Sequence, residues 1–534
     1  MAKLLLKILL FNLLLFSSLY SSDFESELGP LTKSYGFRQK EQTIEKISQQ
    51  YANNEALRTL LNALLNENLF FVKDSKKFVV TIKKDGETYE VIDLMTKEKL
   101  KPVSKYLLER VKTNNKLRSI ARGRLADLNL FSKDQEIRLR SAKNILKNLN
   151  KNSIVLINKA LKNEKDAAVI RVLGEARSIL EVDYGTKAER LIAVEKLGNF
   201  LSPQALQALQ KTYNTSTDQD IKKSAATSIA AIKSKKSIYA FIEKAFFGLS
   251  LGSILLLAAI GLAITFGVMK VINMAHGEMM MIGAYTTYTL QQLLPNMTEY
   301  SVILAIPLAF IVSGLVGIIL ERLVIRHLYG RPLETLLATF GISLILQQLV
   351  RSIYSPLNQE VKTPQWMSGA LEINGALSLT YNRLYIIIFA LLVFAGILLL
   401  LNKTSLGLKV RAVTQNREMA QAMGIRTGLI DALTFGLGSG IAGIAGVALS
   451  QLTNVGPNLG QSYIVDSFMV VVFGGVGNLW GTLISALTLG EINKFIEPVA
   501  GAVLAKVIIL VFIILFIQKR PRGLFPQKGR DAQD

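Results

Sequence analysis

At 534 residues, half of them apolar, and with a formal net charge of +22, the chain is too long for one domain and too apolar to be solvated throughout. The positive excess does not describe a nucleic-acid surface: in the first half Lys alternates with Glu and Asp as on solvated helix faces, and in the second half Lys and Arg collect in short loops between apolar runs. The chain has no cysteine, which excludes disulfides and thiol chemistry, and only two histidines, His276 and His327, which argues against a His-based metal site.

Residues 1–22 carry Lys3 and Lys7, an apolar run at 8–16 and a Ser-rich end, the layout of a secretory signal; an uncleaved anchor is the alternative. Either way the next segment, 23–240, is expected outside the cytoplasm. It opens with an amphipathic helical stretch marked by Leu57, Leu60, Leu61, Leu64 and Leu65. Residues 69–94 change period, with β-branched and aromatic clusters and an Asp85-Gly86 hairpin turn, so a small β-element is expected there. From 117 to 232, apolar stripes such as SIVLINKAL and AERLIAVEKLGNFL alternate with short polar breaks. The pattern resembles a helical-repeat solenoid of the HEAT kind; an irregular helical domain fits as well. No nucleophile, metal or phosphate-loop constellation occurs here, so a docking or structural role is the plain reading.

Residues 246–518 are dominated by Leu, Ile, Val, Ala, Gly and Phe and read as a polytopic helical membrane domain. Spans are expected at 246–268, 278–294, 301–320, 333–350, 384–401, 429–452 and 499–517. Two short apolar pieces at 463–489 either cross or re-enter, which gives about seven to nine spans in all. Loops at 321–332 and 402–426 and the tail 519–534 hold most of the Lys and Arg, so they are placed in the cytoplasm. Loops near 295–300, 355–382 and 454–462 are then outside, as is the segment 23–240. The fold class expected is mostly α: a membrane domain behind a mainly helical extracytoplasmic domain with a small β-element.

The chemistry-bearing residues are few. No catalytic set occurs, and no Gly-Lys dipeptide exists to build a Walker A loop, so an enzyme is not expected. The first two spans are interrupted by Asn273-Met274-Ala275-His276-Gly277-Glu278, and polar groups in such a place are costly in hydrocarbon and usually functional. Charge topology sets this turn near the cytoplasmic end of the two spans. That makes Asn273, His276 and Glu278 gate or solute-path candidates, with a packed, hydrogen-bonded turn as the alternative. Asp466, Asn478 and Glu491 are further polar groups near or within spans. Gly436, Gly440, Gly443 and Gly446 form small-xxx-small pairs suited to close helix packing, with pore lining as the second reading.

In the basic loop after the fifth span, Arg417 precedes Glu418-Met419-Ala420-Gln421-Ala422-Met423-Gly424. This string resembles the E-A-A-x-x-x-G signature of ABC-importer permeases, with Met419 in the second place and the distal I-x-L-P part missing. Glu418, Ala420, Met423 and Gly424 suit a compact docking helix with an apolar knob and a Gly stop; a solvated loop is the alternative. Together with GLSLGSILLLAAIGLAITFGVMKVINMAHGEMMMIGAY and FGGVGNLWGTLISAL, the loop makes 246–525 similar to permeases that import branched-chain amino acids and urea. INMAHGEMMMIGAYTTY and the long N-terminal extension resemble the urea branch.

The resemblance implies an inner-membrane pore subunit for urea or short amides, with branched-chain amino acids as the alternative. It implies partners: a second permease subunit, cytoplasmic ATPase subunits that use the ATP, a periplasmic solute-binding protein and membrane lipid, but no nucleic acid and no cofactor of its own. An ATP-independent channel or carrier, or a receptor sensing through 23–240, are the readings from other classes.

Overall fold

The computed structural model describes residues 24–526 except 33, 52, 53, 76 and 152. The expected signal segment 1–22 and the end of the basic tail lie outside the described residues. The chain is mostly helical and divides into two compact units, the first ending at Ser234 and the second beginning at Lys235.

In the first unit, helices α1 (Phe37–Gln50) and α2 (Glu55–Leu65) precede a five-stranded antiparallel sheet. Its strands are β1 (Leu69–Val72), β2 (Phe78–Asp85), β3 (Thr88–Asp93), β4 (Val103–Ser104) and β5 (Leu108–Arg110), in the order β4-β3-β2-β1-β5. The leucine stripe of α2 is its buried face: Leu57, Leu60, Leu61 and Leu64 pack with Phe24, Ile44 and Ile47. Asp85 pairs with Thr88 across a turn in which Gly86 adopts a positive φ of 54°.

Six further helices follow: α3 (Asn115–Asn129), α4 (Gln135–Lys147), α5 (Ser153–Asn163), α6 (Ala167–Tyr184), α7 (Lys187–Leu197) and α8 (Pro203–Thr215). The polar breaks between the apolar stripes are helix starts. Asn114, Asp134, Asp166, Thr186 and Ser202 each accept a hydrogen bond from a backbone N–H of the following helix, worth about 1 kcal/mol apiece. Helix α6 packs on α4, α5, α7 and α8.

Helix α9 runs Gln219–Met269. Composition changes near 240, yet the helix does not stop there, because 219–247 contains neither Gly nor Pro and is rich in Ala, Lys and Ile. The second unit continues with α10 (His276–Leu293), α11 (Thr298–Leu323) and α12 (Pro332–Tyr354). A hairpin, β6 (Ala370–Asn374) and β7 (Leu377–Thr380), leads into α13 (Tyr381–Lys403). Two short helices, α14 (Ser405–Gln415) and α15 (Arg417–Ala422), precede α16 (Thr427–Ser450), α17 (Leu459–Gly474), α18 (Leu479–Ala500) and α19 (Ala502–Lys519). Among the described residues, α9, α11, α12, α13, α16 and α19 are long and apolar enough to cross a membrane; α17 is apolar but shorter.

Helix α16 is the centre of this unit. It is buried along almost its whole length, against α9, α10 and α11. Small residues let the neighbouring backbones in. Gly436 abuts Ile318 and Gly314, Gly440 abuts Phe310, Gly443 abuts Ser313 and Ala309, and Gly446 lies on the carbonyl of Met280.

Candidate functional site

After Met269 the chain does not simply turn and leave. Lys270 takes a positive φ of 54°, and the next residues run back beside α9. His276, the first residue of α10, donates from Nε2 to the carbonyl of Ala258 at 3.0 Å. Ala258 lies midway along the apolar part of α9, about 16 Å from its C-terminal end at about 1.5 Å per residue. The polar break therefore sits halfway along the span. This corrects the sequence expectation of a turn at the cytoplasmic end: apolar spacing marks where a helix ends, not that the chain folds back before the next one starts. The imidazole is fully buried and fits because Gly261, opposite it, has no side chain.

A second helix starts at the same place. Gly277 of α10 and Gly460 of α17 are in backbone contact, each occupying the space the other's side chain would need. Two helix N-termini, each with backbone N–H groups lacking intrahelical partners, thus meet inside the unit. Asn273 Oδ1 closes the turn by accepting from Ala275 N at 3.0 Å.

Glu278 faces α12 and is 1 % exposed. Its Oε1 accepts from Ser343 Oγ at 2.9 Å and from Gln347 Nε2 at 2.8 Å. Thr339 Oγ1 accepts from Met274 N at 3.1 Å. Thr335, Thr339, Ser343 and Gln347 are all buried and recur every fourth residue, forming a polar stripe along a helix whose leucines and isoleucines are largely exposed. Sequence reasoning missed the stripe, although its four-residue period is visible in TLLATFGISLILQ. One turn on, Arg351 donates to Asn458 Oδ1 at 2.7 Å, just before α17. Tyr285 of α10 and Tyr354 of α12 lie with ring centroids 4.7 Å apart and their planes tilted by 35°.

Buried atoms without hydrogen-bond partners cluster here: Asn273 Nδ2, His276 Nδ1, Glu278 Oε2 and Tyr285 OH. At the foot of the stripe, Thr335 borders a cavity of about 420 Å³ lined also by 268–271, Tyr329, Arg331 and Arg417.

The other acids and amides expected in the path have separate surroundings. Asp466 on α17 pairs with Lys506 on α19 at 2.9 Å, beside a cavity of about 170 Å³ that also touches Tyr463, Lys494 and Glu497. Asn478 caps α18, accepting from Gly481 N at 3.1 Å and donating to the Phe525 carbonyl at 3.2 Å. Glu491 lies against Gly248 of α9.

The residues expected to dock an ATPase form α15, with Asn416 as its cap and Gly424 at a positive φ of 83° as its stop. Met419 and Met423 are exposed and Ala420 is buried. Arg417 points inward instead. It makes a two-pronged ion pair with Asp431 of α16 (3.2 and 2.5 Å), donates to Tyr329 OH at 2.8 Å and stacks over that ring at 4.2 Å. Burial, with the Asp431 carboxylate nearby, pushes the Tyr329 hydroxyl above its ordinary value, so it stays a neutral phenol.

Residues 244–517 match the family model described as the branched-chain amino acid transport system, permease component. The chain is 31% identical to the high-affinity branched-chain amino acid transport system permease protein BraD of Pseudomonas aeruginosa, over 54% of this chain and 96% of that protein. It is 30% identical to the corresponding LivH of Salmonella typhimurium, over 53% and 95% respectively, and 29% identical to LivH of Escherichia coli K12, over the same shares. No solved structure matches.

Proposed function

The chain belongs to the branched-chain amino acid transport permease family, whose members are transport subunits and not enzymes, and from that premise we propose that it forms the solute pathway of an ABC importer for branched-chain amino acids. The relatives named for branched-chain amino acids favour this substrate over urea, to which the INMAHGE region and the N-terminal extension had pointed. The observation that carries the reading is the polar break midway along the spans. Charged and amide groups at such depth serve transport when they are not paired for structure.

In this reading the importer sits in the inner membrane, with 23–240 outside and 519–534 in the cytoplasm. A second permease subunit completes the pore. Cytoplasmic ATPases dock on α15, and a periplasmic protein delivers the solute. ATP-driven closure of the ATPases moves α15, and the pore alternates between its two openings.

The deciding measurement is uptake into proteoliposomes holding the complete importer. Expected is L-leucine uptake that requires ATP, with no urea uptake. Leucine uptake by this chain alone without ATP would make it a channel or carrier and defeat the proposal.

A further inference from the structure

Glu278 and Arg351 lie on facing helices, α10 and α12, within one polar seam, yet among the described residues neither makes an ion pair. Glu278 accepts hydrogen bonds only from the neutral groups of Ser343 and Gln347, its second oxygen has no hydrogen-bond partner, and Arg351 acts on it through space without closing an ion pair. Arg351 sits one turn beyond Gln347 and reaches away, to Asn458. A buried charge whose counter-charge is near but not in direct contact is left only partly compensated. Its retention in a transport protein points to a counter-charge that comes and goes.

The unlike charges are accompanied by the complements of one ligand class. Asn458 immediately precedes α17, whose N-terminus has no side-chain cap and whose dipole favours an anion. The paired, tilted rings of Tyr285 and Tyr354 and the buried Val350 offer an apolar surface on the same two helices. We propose that the α10–α12 seam is a zwitterion site, in which Glu278 takes an α-ammonium group, Arg351 and the start of α17 take the α-carboxylate, and the tyrosine pair takes a branched apolar side chain. This rests on the permease reading and names how its substrate is held. A neutral amide such as urea has neither charge to offer, so the seam selects against it.

The test uses the complete importer in proteoliposomes and probes built on one carbon skeleton: L-leucine, 4-methylpentanoate without the ammonium group, and 3-methylbutylamine without the carboxylate. Wild type is expected to import leucine and neither analogue. Glu278→Gln keeps the acceptor for Ser343 and Gln347, and is expected to lower leucine carried per ATP hydrolysed about tenfold or more while ATP hydrolysis persists. Arg351→Gln is expected to do the same. A leucine-to-ATP ratio within about twofold of wild type in Glu278→Gln overturns the inference, as does import of either analogue by wild type. Should Glu278→Gln fail to reach the membrane, the same ratio in Arg351→Gln, at a half-buried position, decides. ATP-driven urea uptake without leucine uptake overturns the zwitterion site and the proposed substrate but leaves an ABC-importer permease standing; ATP-driven leucine uptake unaffected by either substitution overturns the zwitterion site alone; no ATP-driven uptake of either solute removes the importer reading itself.

Discussion

Arg417 shows how one residue can differ from the role its neighbours suggest. It stands in a basic loop and reads as part of a docking surface, but its guanidinium fork is spent on Asp431, which is 2 % exposed, and on Tyr329. It ties α15 to the first turn of α16. Lys cannot reproduce the fork or the stacking. Arg417→Met leaves the buried Asp431 without a counter-charge and is expected to cost about 3–5 kcal/mol. The double change Arg417→Met with Asp431→Leu is expected to recover most of that loss, and thermal unfolding of the full chain in detergent measures both. Equal destabilisation in the single and double variants would show that the pair contributes nothing beyond packing. Recovered stability without recovered ATP-driven uptake is the expected pattern, because the tie between α15 and α16 would still be missing.

At the scale of elements, the glycines of α16 set how closely the central helices approach. A side chain at Gly446 would fall on the Met280 carbonyl of α10, which is backbone and cannot move aside. Gly446→Leu is therefore expected to force α10 and α16 apart, at a cost of about 1–3 kcal/mol or more. It should shift Glu278 against α12 and abolish uptake. Gly396→Leu on α13 faces open space and is the matched control, expected to retain wild-type uptake. Equal uptake in both would mean that the α10–α16 approach does not position the seam. The small-xxx-small spacing was legible in the sequence. Which neighbour each glycine admits was not, since Ile318, Phe310, Ser313 and Met280 come from two different helices far away in the chain.

For the whole molecule, loop charge sets the expected orientation, and the absence of cysteine makes it straightforward to measure. Ser368→Cys lies in the loop before the β6–β7 hairpin and Ser405→Cys opens α14; both positions are exposed. With a membrane-impermeant maleimide, Ser368→Cys is expected to label from outside intact spheroplasts, and Ser405→Cys only after permeabilisation. The opposite pattern would invert the charge-based topology and place 23–240 in the cytoplasm.

The sequence by itself determined the class of this protein. Apolar run lengths, loop charges, cap residues and the strings around 261–288 and 417–424 are local signals, and local signals survive in a linear text. They marked most helices of the membrane unit, the first three strands of the small sheet and the family, but not strands β4 and β5 or the full length of α18, which ends at Ala500. Only the tertiary structure decided where the polar groups go. Asn273, His276 and Glu278 are adjacent in sequence, but their depth depends on a fold-back beside α9 held by Ala258 and made room for by Gly261. Ser343 and Gln347 join Glu278 from one other helix, α12, and Arg351 of that helix is tied to Asn458 in the loop before α17. That meeting is set by packing between segments 65 to 180 residues apart, and no periodicity within one segment encodes it.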